Sequence, residues 1–294
     1  MNNVRGILLV LLAMVGFTLE DTFIKALTGG MAVGQVLMLI GLGSASVFAL
    51  FASVRGENIL GARAWQPLPL LRAFTEAFSA VAYATALSKV DISTVAAVFQ
   101  ATPLVITMGA ALFLGEQVGW RRWSAIGVGF IGVIMIIRPG LNGFEPAALW
   151  VLIAVLGVAT RDLLTRVLSA DVPSTVVSFQ AFATIIPAGL FLMFVNNSSF
   201  SVPHGADWAM IVGGVLFGVM GYYSIVVAMR IGDAAVVTPF RYTRLLFSIL
   251  IGAVVFAERP DLMTLAGSSL VIGSGLYTFL RERRLQRVTQ MANA

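Results

Sequence analysis

Ala86-Leu-Ser-Lys-Val-Asp91, followed by Glu116, returns later in the chain as Ala228-Met-Arg-Ile-Gly-Asp233, followed by Glu258. The three anchor residues are displaced by the same 142 positions, and Val95/Val237, Leu104/Leu246 and Ala111/Ala253 hold the register between them. A second register, one position shorter, pairs Ala13, Gly16, Asp21 and Lys25 with Ala154, Gly157, Asp162 and Arg166. Half of the chain is a diverged copy of the other half. Residues 1–140 make the first copy, and 141–294 make the second with a basic tail.

The medium in which the copies fold follows from composition. The chain is 59% hydrophobic and 11% charged, far from the balance of a soluble domain. It reads as an all-α integral membrane protein whose surroundings are a lipid bilayer. Glycine, proline and charge clusters punctuate it at about the 20-residue interval a helix needs to cross the hydrocarbon layer. Ten spans are predicted, near 5–27, 33–54, 67–88, 92–114, 120–138, 146–168, 173–195, 207–230, 234–256 and 260–280. Five spans per copy is an odd number, so the copies lie in opposite orientations, an architecture of transporters. Lysine and arginine set the topology, because positive loops stay on the cytoplasmic side. With the N-terminus inside, that side collects Arg5, Arg55, Arg63, Arg121, Arg122, Arg166, Arg230, Arg281, Arg283, Arg284 and Arg287, against Lys25, Lys89, Arg138 and Arg259 outside. Both termini are expected to be cytoplasmic, with no cleavable leader ahead of the first span.

Several function classes lose support at once. The net charge of +5 is scattered between apolar runs, which argues against nucleic acid as a partner. There is no cysteine and one histidine, His204, in an external loop, so no metal site and no cofactor are expected. Gly127, Gly129 and Gly132 match a dinucleotide fingerprint only in letters, since they sit inside a span with no strand before them. No Gly-x4-Gly-Lys-[Ser/Thr] occurs, so no ATPase subunit is expected, and no Gly-x-Ser-x-Gly accompanies a histidine base, so no catalytic residues are assigned and an enzyme is not expected.

The Ala-x4-Asp that opens the fourth span of each copy, with the Gly115-Glu116 and Ala257-Glu258 that close it, resembles the EamA type of the drug/metabolite transporter superfamily. Within it the chain looks most like the YddG-type bacterial exporters of aromatic and other amino acids. The resemblance implies spans 1, 3, 4, 6, 8 and 9 around a central cavity, spans 5 and 10 at the periphery, and a place in the bacterial inner membrane. It also implies bent gating helices at Pro103 and Pro239, although Pro103 pairs with Leu245 and Pro239 with Ala97, so the two bends are not symmetric.

A charge within the bilayer costs several kcal/mol unless it has a partner or a wet cavity. Arg244 falls near the middle of the ninth span, with Arg241 and Thr238 on the same face at successive three-residue steps. The equivalent residues of the first copy are Thr102 and Phe99, so the arginines mark the place where the copies diverged. A guanidinium pair suits a carboxylate. The alternative is that these arginines only neutralise buried acids such as Glu76 or Asp162. Arg72 and Glu76 are spaced as an i,i+4 pair, as are Asp21 with Lys25 and Asp162 with Arg166. Glu20 and Arg161 are equivalent positions of opposite charge, and both are candidates for the cavity. Tyr83, Phe78, Phe99, Tyr222, Tyr223 and Tyr242 supply rings for stacking, and Gln100 a polar contact. The reading is a secondary transporter that exports aromatic and other neutral amino acids by alternating access. Exchange of phosphorylated or carboxylated metabolites and export of cationic drugs are the alternatives.

Overall fold

The structure is a computed structural model that describes residues 3–116, 118–141, 144–167, 172–231 and 237–292. Asp233, and the side chains of Arg166, Arg230, Thr238, Arg283, Arg284 and Arg287, lie outside the described residues. Among the described residues every regular element is helical. The first copy gives α1 (Asn3–Thr28), α2 (Val33–Val54), α3 (Pro67–Leu87), α4 (Ile92–Phe99), α5 (Thr102–Phe113) and α6 (Trp120–Ile137). The second gives α7 (Leu149–Val167), α8 (Ser174–Val195), α9 (Gly205–Ile231), a 3-10 turn at Thr238–Tyr242 that runs into α10 (Thr243–Val255), and α11 (Leu262–Ala292).

Eight of these stretches are long and apolar enough to cross a bilayer. The third and ninth expected spans are helical but do not meet that test. α3 is long enough but has its apolar run interrupted by Arg72 and Glu76, and the ninth segment, which carries Arg241 and Arg244, has a 3-10 turn at Thr238–Tyr242 and a regular helix of only 13 residues after it. Helices this polar must turn their charges toward protein or water.

The packing is that of two related halves. α1 lies along α9, α3 along α7, α2 along α8, and α6 along α11. Each pair takes one helix from each copy, and exchanging the copies converts the α1–α9 pair into α7–α3. Glycine permits the closest approaches. On α6 and α11, a Cβ at Gly132 or Gly267 would stand 2.6 Å from the other's carbonyl oxygen, so the two backbones touch.

The fourth span breaks between α4 and α5. Pro103 has no N–H for the Phe99 carbonyl, and the Thr102 hydroxyl donates to that oxygen instead, at 2.5 Å. Pro239 sits in the 3-10 turn, and regular helix resumes at Thr243, whose hydroxyl donates to the Phe240 carbonyl at 2.6 Å. The irregular stretches therefore fall at different depths in the two copies. Their ends agree closely. The N–H of Glu116 donates to the Ala110 carbonyl and that of Glu258 to the Gly252 carbonyl, with Gly115 at φ 70° and Ala257 at φ 54° between. The same left-handed closing turn is kept in both copies, even where the second has alanine at the position glycine suits better.

Candidate functional site

The polar helices α3 and α10 meet α1 and α7 in the middle of the bundle, and their charges sort into two networks. In the first, Arg244 of α10 donates to Asp21 Oδ2 of α1 at 2.6 Å and to the Tyr83 hydroxyl of α3 at 3.0 Å. Tyr83 in turn donates to Asp21 Oδ2 at 2.9 Å. The same guanidinium lies 5.3 to 5.5 Å from the ring centres of Phe99, Phe17 and Tyr83, within cation–π range. Tyr83 and Phe99 meet edge to face at 5.0 Å. The Asp21 side chain is only 4% exposed, so its charge depends on Arg244.

The second network is one helix turn or more away. Arg161 of α7 donates to Glu76 Oε1 at 2.7 Å and to Asp162 Oδ1 at 2.7 and 2.9 Å. Arg72 is ion-paired with Glu76 at 3.3 Å and donates to the Thr165 hydroxyl at 3.1 Å and the Tyr222 hydroxyl at 3.0 Å. The Tyr222 ring packs on Phe48 and Phe182. These bonds tie α3 to α7 and α9.

Two central charges belong to neither network. No described residue forms a hydrogen bond or ion pair with the guanidinium of Arg241, which lies within electrostatic reach of Asp162, Arg161 and Arg244. The Glu20 carboxylate likewise has no such partner among the described residues; it rests against Gly218 of α9 within reach of Asp21, Arg244 and Glu76. Both side chains are half-buried.

The remaining candidates divide. Gln100 sits at the break between α4 and α5 and donates to the carbonyl oxygens of Arg241 at 3.3 Å and Tyr242 at 3.2 Å. It joins the irregular points of the fourth and ninth spans. Tyr242 is buried with its hydroxyl against Gly275 of α11, away from Arg244. Phe78 is 50% exposed on the outer side of α3, because the α3 face holding Arg72, Glu76 and Tyr83 is the one turned inward. Tyr223 is 41% exposed and accepts a hydrogen bond from Arg55 at 3.1 Å, in an outer groove with Phe51 and Leu216. Neither Phe78 nor Tyr223 reaches the central charges.

The expected clamp between Asp21 and Lys25 is absent, since each partner has a better one on another helix. Lys25 donates to the Val90 carbonyl at 2.5 Å and is ion-paired with Glu258 at 3.4 Å. Glu258 accepts from the N–H groups of Ile92 at 2.9 Å and Ser93 at 3.3 Å, and from the Ser93 hydroxyl at 3.2 Å. An acid from the second copy thus caps the first turn of α4 in the first copy, where the helix dipole favours negative charge. The sequence signal for this contact was the repeated Glu116/Glu258. Sequence spacing assigns Asp21 only to Lys25 and gives Phe17 no role, although the two lie four residues apart on one face of α1. Asp162 pairs with its neighbour Arg161.

Two acids lie just before, and outside, the helices that begin at Ile92 and Leu262. Asp261 accepts from Arg138 and from the Thr264 N–H, which lower its carboxyl to about 2. Asp91 is raised, by partial burial first and then by Glu258, with Lys25 opposing.

The model of the EamA-like transporter family matches residues 4–138 and again 145–280. A riboflavin transporter of Rhizobium johnstonii is 31% identical over 220 residues, 74% of this chain and 72% of that protein. An S-adenosylmethionine uptake transporter of Rickettsia felis is 25% identical over 280 residues, 95% and 94% of the two chains. A solved crystal structure superposes with a TM-score of 0.67 over 97% of this chain and 99% of that one, at 20% identity, which bears on the fold alone. These relatives carry the likeness to the family and not to YddG-type amino-acid exporters in particular, since they are named for riboflavin and S-adenosylmethionine.

Proposed function

We propose, for a chain that belongs to the EamA-like transporter family and is a multi-pass transporter of small metabolites rather than an enzyme, that the substrate is an amino-acid-type molecule whose carboxylate is held by Arg241. The observation that carries this is the state of the central arginines. Arg244 is held by Asp21 and Tyr83, and Arg161 by Asp162 and Glu76. Arg241 is the central guanidinium whose donors no described residue takes up. A guanidinium in a dry setting binds a carboxylate through paired, charge-assisted bonds. Phe99 and Tyr83, already edge to face against Arg244, supply an apolar wall for a neutral or aromatic side chain. S-adenosylmethionine, the molecule named for the Rickettsia relative, is itself an amino acid.

The path is formed by ten spans, the two polar helices included, with both termini cytoplasmic in a bacterial inner membrane. The ends of α4 and α10 nearest Lys25 pack together and are fastened by Glu258. On the arginine-based topology that end faces outward, so this state receives substrate from the cytoplasm and fits export by alternating access. Counterflow of labelled L-phenylalanine in proteoliposomes tests the reading. The wild type concentrates label, and Arg241→Gln lowers the rate at least about tenfold. Absence of counterflow with every amino acid offered to the wild type removes the substrate class.

A further inference from the structure

The central ionic groups can be counted against each other. The acids are Glu20, Asp21, Glu76 and Asp162, and the bases are Arg72, Arg161, Arg241 and Arg244. Asp21 is matched to Arg244, while Glu76 and Asp162 are matched to Arg72 and Arg161. Among the described residues, what is left is one carboxylate and one guanidinium. Resting on the reading of Arg241 above, we infer that Glu20 is the receptor for a cationic group of the same ligand, so that the site is built for a dipolar molecule and discriminates against simple anions.

Charge balance selects the ligand. A lone anion such as a phosphate ester satisfies Arg241 and leaves Glu20 with no direct partner beside Asp21 and Glu76, the Arg244 cation within its reach being already engaged by Asp21, an arrangement that low dielectric makes costly. A lone cation has the converse fault at Arg241. Glu20 and Arg241 both lie within electrostatic reach of Arg244, and a ligand with an ammonium and a carboxylate that spans the two satisfies both and adds no net charge to the bundle. The place of Glu20 is itself made by the partner helix. Gly218 of α9 lies directly against the carboxyl group, and a Cβ there would occupy the position of its oxygens. That contact is with the far end of a flexible side chain, so an alanine at 218 turns Glu20 aside without parting α1 from α9. Gly16 and Gly221, where the α1 and α9 backbones meet, stay untouched.

The experiment compares three molecules of one shape as competitors of labelled L-phenylalanine counterflow: L-phenylalanine, 3-phenylpropionate, which lacks the ammonium, and phenethylamine, which lacks the carboxylate. In wild type, loss of the ammonium weakens competition at least about tenfold, the scale of one charge-assisted contact. Glu20→Gln and Gly218→Ala bring L-phenylalanine down to the level of 3-phenylpropionate, and Glu20→Asp retains part of the preference. Thermal unfolding in detergent confirms that each variant is folded. If 3-phenylpropionate competes as well as L-phenylalanine in wild type, or if the preference survives in both Glu20→Gln and Gly218→Ala, the inference is overturned while the role of Arg241 stands. If Glu20→Gln keeps the preference and instead abolishes the dependence of counterflow on a pH gradient, Glu20 carries a proton and the inference is likewise overturned. If no amino acid supports counterflow in wild type, the reading of Arg241 fails first, and the inference with it.

Discussion

Replacing Glu258 with alanine isolates the contact that joins the two copies at the Lys25 end. The wild-type carboxylate, 5% exposed, accepts from Ile92 N–H, Ser93 N–H and the Ser93 hydroxyl and is paired with Lys25. Hydrogen bonds to a charged group are worth about 1.5–3 kcal/mol each, and breaking a buried pair costs about 3–5 kcal/mol. Lys25 keeps the Val90 and Leu87 carbonyls as acceptors, which softens the loss, so about 3 kcal/mol is a fair total. If those bonds form only when this end is closed, removing them shifts the open-to-closed ratio by about a hundredfold. The chain has no cysteine, which gives a clean assay. Val95 on α4 is fully buried, and Val95→Cys in otherwise unaltered protein should react slowly with an impermeant maleimide added from the Lys25 side. In the Glu258→Ala background the rate should rise steeply, up to about a hundredfold. A folded double variant labelled within about threefold of the single one would refute the assignment of this contact as a closure.

Arg244→Ala leaves Asp21 buried without its cation and should destabilise the protein by about 3–5 kcal/mol, while Asp21→Asn in the same chain recovers much of that, a coupling read from a double-mutant cycle in thermal unfolding. The pair of Arg138 and Asp261 gives a pH dependence. Because the folded carboxyl is lowered to about 2 from an unfolded value of about 3.9, its stabilisation is full above the unfolded value and fades as pH falls through the folded one. Asp261→Asn should flatten that part of a melting-temperature profile between about pH 4 and pH 2, by a small amount since the side chain is 50% exposed. Gly132→Val places a branched side chain where α6 touches the Gly267 carbonyl of α11, and unfolding should be easier by about 1–3 kcal/mol, against no comparable loss at Gly127, where the space is open.

The repeat read from Asp91/Asp233 and Glu116/Glu258 carried the architecture into the structure, because spacing in sequence survives the folding of each copy. The family match covers both copies. Central placement of Arg244, Arg241, Arg161, Glu20 and Glu76 was also legible, since a charge in a long apolar stretch has few places to go. Pairing was not. An i,i+4 spacing sees one helix only and assigns Lys25 to Asp21, whereas the interhelical geometry gives it to Glu258. The rotation of a helix about its axis is equally invisible when both faces are apolar. Phe78 and Phe99 look alike in sequence, yet one faces outward and the other lies beneath Arg244. The arginine stripe reads in sequence as a pair suited to one carboxylate or as neutralising Glu76 or Asp162, whereas the structure engages Arg244 with Asp21, and no described residue bonds the Arg241 guanidinium.

Equilibrium binding of labelled L-phenylalanine to purified protein shows whether Arg241 holds a carboxylate. Wild type and Phe78→Ala, altered on the outer face of α3, should show the same saturable site, and Arg241→Gln should lose it. Undiminished binding by folded Arg241→Gln would contradict the account.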